Sequence, residues 1–134
     1  MRVLSYLVQR PTGCVVACLL LCCGCTSSVD RLANQVKRAG TAEEWRAWAA
    51  QMIERSKTNS SEIEWEEMPA FVQRGTPGGA RGFVSKDVVI VARFGGFESI
   101  GVVIGPPSYE ESGDRSRGQM SKQVYLGIYV RESH

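Results

Sequence analysis

The chain has 134 residues, with 16 Lys and Arg against 14 Asp and Glu and a net charge of +2. That length fits one domain, and so even a balance gives no sign of the clustered positive charge on which nucleic-acid binding draws. All five cysteines stand before residue 26, at Cys14, Cys18, Cys22, Cys23 and Cys25. This excludes a disulfide framework, which needs cysteines spread through the folded part. The pattern also speaks against a zinc site, because no second Cys or His pair follows and the only histidine is His134.

The first 25 residues have a three-part layout: a basic start with Arg2 and Arg10, an apolar run over 14–21, then small residues up to Gly24. That is the plan of a secretory signal peptide. With Arg10 and Pro11 immediately before it, the run is too short for a transmembrane helix, which needs ~20 apolar residues. Cys18, Cys22 and Cys25 also share the spacing of a three-thiolate iron–sulfur site. Enzymes of that kind build a large barrel around the cluster, and only 109 residues follow Cys25, 134 less 25.

Leu21-Cys22-Cys23-Gly24-Cys25 resembles the lipobox of bacterial lipoproteins. The resemblance covers the leader alone and implies an address: signal peptidase II cuts before Cys25, whose sulfur carries a diacylglyceryl group. Residues 1–24 are then the signal peptide, 25–28 the lipidated cysteine and a short tether, and 29–134 a single small domain. Thr26 rather than Asp after the cysteine points to the outer membrane, where the cell has one. The mature chain has 110 residues, 134 less 24, and loses Arg2 and Arg10, which leaves 14 basic against 14 acidic side chains.

Within the mature part, Val29, Leu32 and Val36 recur at helical spacing, and Gly40 after Lys37 and Arg38 stops that helix. Thr41 and Glu44 form a capping box that opens a second helix, with Trp45, Trp48, Ala49, Met52 and Ile53 on one stripe. Core packing is the favoured use of the two tryptophans, ahead of an aromatic ligand platform. In residues 60–68, Glu62, Glu64 and Glu66 alternate with Ile63 and Trp65, which reads as a strand with a wet acidic face, or as a short helical turn, ended by Pro69. A solvated face is favoured over a glycosidase-like carboxylate pair. Residues 74–82 are a glycine-rich loop without the spacing of a nucleotide-binding motif.

Beyond Gly82 the pattern turns to strands. Residues 88–93 and 98–104 are expected to pair across a Gly95-Gly96 turn, so that Phe94 faces Phe97, Arg93 faces Glu98 and Val91 faces Ile100. Residues 124–130 are expected to form a third strand with Val124, Leu126, Ile128 and Val130 on one side. Between them, residues 105–122 are long for a hairpin connection and read as a mobile loop rather than a binding loop. Their acidic residues lack the order of a calcium loop. The expected architecture is α+β, with N-terminal helices packed on a three- or four-stranded antiparallel sheet.

The functional expectation is a small, non-enzymatic, lipid-anchored envelope protein with a structural or partner-binding role. It needs no cofactor, metal or nucleic acid; its partners are the membrane, through the lipid on Cys25, and an envelope protein. One competing reading is an anchored hydrolase using Glu64, Glu66, Glu110 or Asp114, although no serine sits in a nucleophile turn. The other is a binder of an anion or small ligand at the glycine-rich loop, with Arg74, Arg81 and Tyr109 as its contacts.

Overall fold

The computed structural model describes residues 27–95, 98–111 and 118–134. Helix α1 (Ser28–Ala39) begins where the Ser27 hydroxyl accepts from the Asp30 amide at 3.1 Å, and ends at Gly40. It buries the expected stripe of Val29, Leu32 and Val36, together with Ala33. Helix α2 (Ala42–Ser56) starts with both halves of the expected capping box: Thr41 Oγ1 accepts from the Glu44 amide at 3.2 Å, and Glu44 Oε2 accepts from the Thr41 amide at 2.7 Å. Trp45, Trp48 and Ala49 are buried, and Met52 and Ile53 pack half-buried against the same core.

The acidic stretch divides between the two forms its pattern allows. Glu62 and Ile63 make a two-residue strand, β1, and Trp65–Glu67 a single 3-10 turn. Pro69 then opens a short helix, α3 (Ala70–Gly75), which the sequence pattern does not announce.

The sheet has six strands rather than three or four, and every pairing is antiparallel. After β1 come β2 (Arg81–Ser85), β3 (Val88–Gly95), β4 (Glu98–Ile104), β5 (Gln119–Tyr125) and β6 (Ile128–Ser133), in the spatial order β1-β2-β3-β4-β6-β5. Two of the extra strands come from turns hidden in apolar runs. Ser85 pairs with Val88 around Lys86-Asp87, where Lys86 takes a φ of 57°. Residues 124–130 are not one strand, because Tyr125 pairs with Ile128 across Leu126-Gly127. Gly127 has a φ of +76°, and a Cβ there would lie 2.0 Å from the Pro106 carbonyl oxygen, so only glycine serves. The edge strand β5 carries an irregularity between Gln123 and Tyr125, which discourages pairing with another sheet.

The β3–β4 hairpin forms in a different register from the expected one. Gly95 faces Glu98, Arg93 faces Ile100 and Val91 faces Val102, so each β3 residue meets a partner two places further along; Gly96 and Phe97 lie outside the described residues. The Arg93–Glu98 pairing is therefore not made. A shift of two leaves every side chain on its expected face, so the apolar pattern does not choose between the two registers. In the expected register Ile104 would stand opposite Asp87, a turn residue, whereas here it faces Val89 and is fully buried.

The apolar stripes of α1 and α2 meet the sheet face formed by Val89, Val91, Val102, Ile104, Val124, Ile128 and Val130, and α3 packs against α1 with Val72 in the same core. Helix α1 lies over β5 and β6, and α2 over β2, β3 and β4. The Trp45 ring sits where the helices meet, fully buried, with its Nε1–H donated to the Val36 carbonyl at 3.3 Å and the Phe71 ring edge-on at 5.2 Å.

A Cβ on Gly75 would fall 2.4 Å from the Trp45 ring. Gly75→Ala should therefore destabilise the protein by about 1–3 kcal/mol, the usual cost of overpacking, even though alanine is the better helix former. In a Trp45→Phe background the same change should cost less, because the smaller ring vacates the space. Thermal melting of the four proteins of the double-mutant cycle measures this coupling, and additive effects would contradict it.

Candidate functional site

Cys25 lies outside the described residues. In the sequence it stands two residues before Ser27, the N-cap of α1. The Ser28 hydroxyl donates to Glu132 Oε2 at 2.7 Å, placing the start of α1 beside the end of β6. His134 stands at the same end, 3.5 Å from both Glu98 and Glu132. Asp30 in the first turn of α1 is paired with Lys122, and the bonds from Lys122 and Ser27 hold its carboxyl below the usual range.

Arg74, Arg81 and Tyr109 are not brought together. Arg81 is exposed on β2 opposite Ala92, on the sheet face away from the helices. Tyr109 belongs to the connection between β4 and β5, which has to run from the far end of β4 to the near end of β5 and pass over β6 on the way. It packs edge-on against Tyr129 of β6, with ring centroids 6.0 Å apart. Its hydroxyl donates to Glu111, whose other carboxylate oxygen accepts from Arg131 of β6 at 3.0 Å. The expected mobile loop is thus pinned over residues 105–111 by a buried carboxylate shared between a phenol and a guanidinium.

Arg74 has other company. The Gln35 side-chain amide donates to the Arg74 carbonyl at 2.6 Å, which fastens α3 to the outer flank of α1. There Arg31, Arg38 and Arg74 line one groove of about 440 Å³ with Asn34 and Gln35. Arg31 and Arg38 are seven residues apart, so they project from one face about 10 Å apart along the axis. Among the described residues none of the three guanidiniums has a carboxylate partner. Among the described residues, three guanidiniums without carboxylate partners thus surround one polar groove. Sequence reasoning took Arg38 only as part of the helix end and did not single out Arg31, although their spacing on the face opposite Val29, Leu32 and Val36 is a usable signal.

The glycine-rich segment is less loose than its composition suggests. The Thr76 hydroxyl is buried and donates to the Val72 carbonyl at 2.7 Å, and Ala80 and Gly82 are buried. Glu64, Glu66 and Glu110 are exposed, and Asp114 lies outside the described residues. Among the described residues no group of three or more His, Cys, Asp or Glu is placed to hold a metal ion, and no helix is long and apolar enough to cross a membrane.

Burial and the Glu111 carboxylate raise the Tyr109 pKa from 10.0 to about 12. A raised tyrosine favours the folded state fully below its unfolded pKa, and that contribution is lost as pH climbs from about 10 to about 12. Ultraviolet titration should therefore show a tyrosinate step near pH 12 that disappears in Tyr109→Phe. A wild-type protein with no step above pH 11 would contradict the pinned connection. Comparison with protein-family models, with curated proteins and with solved structures gave no match to this chain.

Proposed function

We propose that this protein is a small lipid-anchored component of a bacterial cell envelope that works by binding rather than by catalysis. The observation that carries the reading is Leu21-Cys22-Cys23-Gly24-Cys25 followed by a folded domain whose first N-cap is Ser27. A diacylglyceryl thioether on Cys25, with or without a further acyl chain on its amine, supplies ~0.8 kcal/mol per buried CH₂, enough with two or three chains for lasting attachment. With Thr26 as the only spacer, the domain is held within about 7 Å of the modified residue. The Ser28 and Glu132 end therefore faces the bilayer, which for Thr26 after the cysteine is the outer membrane of a cell that has one.

Mass spectrometry of the membrane-extracted protein should find an N-terminal peptide that begins at Cys25 and carries added lipid mass. Cys25→Ser should leave uncleaved precursor or a soluble product, and inhibiting signal peptidase II should accumulate the precursor. A mature chain that keeps residues 1–24, or begins elsewhere with a free Cys25 thiol, overturns the reading.

The binding role falls to the groove of Arg31, Arg38 and Arg74, and its partner is anionic. This keeps Arg74 from the expected ligand contacts and replaces Arg81 and Tyr109 with the two arginines of α1. Binding of inorganic pyrophosphate or a longer polyphosphate should weaken as salt rises. Replacing any one of the three arginines by Gln should cost about two- to fivefold in affinity, as for exposed ion pairs, and Arg81→Gln should cost nothing. Titration calorimetry at two salt concentrations measures both, and equal effects at Arg74 and Arg81 would assign the binding to the glycine-rich segment instead.

A further inference from the structure

At the end of the sheet away from Ser28 there is a cavity of about 340 Å³, separate from the arginine groove. Its size falls in the range of small-molecule sites. One wall is α2, with Arg46, Ala49 and Ile53; the other is the end of the sheet, with Asp87 in the β2–β3 turn, Ile104 and Pro106. The lining is apolar except for two opposite charges, the cation on the helix wall and the anion on the sheet wall.

Neither charge is neutralised by a described residue. Arg46 and Asp87 form no ion pair with each other or with any other described residue. The guanidinium is nonetheless held in place, because one Nη donates to the Leu126 carbonyl. Its Nε–H is buried and has no acceptor. The cation itself has no carboxylate partner among the described residues, and a ligand carboxylate meeting the cavity side of the guanidinium supplies one. A cation and an anion that share one apolar cavity without meeting each other leave a gap complementary to a molecule carrying both charges.

We propose that this cavity binds an apolar α-amino acid or short peptide as its zwitterion. The ligand carboxylate lies on the Arg46 guanidinium, its ammonium group faces Asp87, and its aliphatic side chain fills the space between Ala49, Ile53, Ile104 and Pro106. An inorganic anion or a phosphate ester does not fit, because it would place several charges against apolar walls with one guanidinium to meet them. The site is independent of the lipid on Cys25 and of the arginine groove.

The test is titration calorimetry on the full-length protein in detergent, with leucine, glycyl-leucine, N-acetyl-leucine and leucine amide. Leucine or glycyl-leucine should bind saturably, and which of them binds separates a free amino acid from a peptide as the source. N-acetyl-leucine, without the ammonium group, and leucine amide, without the carboxylate, should each bind about tenfold more weakly, the worth of one charged hydrogen bond. Asp87→Asn should weaken the zwitterion and leave N-acetyl-leucine unchanged, a split that general loosening of the fold would not produce. Arg46→Gln should weaken both; because Arg46 also holds the Leu126 carbonyl, Arg46→Lys serves as the variant that keeps the charge while losing the fork. The proposal is overturned if neither zwitterion binds at about 10 mM, if the acetylated and amidated ligands bind as well as leucine, or if Asp87→Asn affects leucine and N-acetyl-leucine equally.

Discussion

Trp45 occupies the junction of α1, α2 and α3, and the helical layer takes its form around that ring. Its indole N–H is answered by the carbonyl of Val36, one turn before the end of α1, and its far edge lies where a side chain at residue 75 would otherwise go. Phe71 closes the remaining side. A ring this size buries enough apolar surface to fix three elements at once, on the order of 3–5 kcal/mol by the cost of truncating it. The consequence reaches the surface. Because Trp45 draws the end of α3 against α1, the Arg74 carbonyl comes within reach of Gln35, and the arginines of two separate helices come to line one groove. The buried stability of the domain and the arginine groove thus depend on the same indole.

On the opposite face of the sheet the organising constraint is topological. Since β6 lies between β4 and β5, and β4 ends at the far edge while β5 begins at the near one, the chain has to travel the length of the sheet and cross a strand. A flexible crossing of this length would carry an entropic cost with no contacts to offset it. Instead its first part is held by Tyr109 on Tyr129 and by Glu111 between Tyr109 and Arg131. A buried carboxylate is tolerable only when its oxygens are answered, and here the two oxygens have one donor each. The 105–107 segment lies across from the middle of α2, where Pro106 and Pro107 become a wall of the apolar cavity.

The parts of this fold that were legible in the sequence are those fixed by neighbours along the chain. The α1 stripe and the Thr41–Glu44 box depend on residues three or four apart, and both formed as read. Strand β4 was found with its ends in place, but its register against β3 was not, because a slide of two residues keeps the same faces buried and only the distant demand for Ile104 opposite Val89 decides it. The split at Leu126-Gly127 escaped notice because Val124, Leu126, Ile128 and Val130 alternate as if in a single strand; the informative residue was Gly127, whose φ is positive. Arg81-Gly82 sat at the edge of a glycine-rich segment and gave no strand signal, although β2 begins there. The site fared likewise: Arg74 was grouped with its chain neighbour Arg81, whereas the structure groups it with Arg31 and Arg38, some forty residues earlier, as no local rule could show.

The direction of α1 gives these features an order in space. Its twelve residues span about 18 Å, running from Ser28 beside Glu132 to Gly40, whose carbonyl accepts from the Tyr125 hydroxyl at the opposite end of the sheet. If Cys25 carries the lipid, that axis starts at the bilayer and points away from it. The arginine groove then lies along the side of the domain, with Arg31 nearest the headgroups and Arg38 about 10 Å further out, while the cavity between α2 and the β2–β3 turn opens at the distal end. An anionic partner lying along α1 would therefore meet the protein flank-on, and a small zwitterion would enter from the aqueous side without approaching the lipid. With a lipid on Cys25, the one residue before the Ser27 N-cap would keep the two ends distinct, whereas a long flexible tether would let the domain tumble and erase the difference.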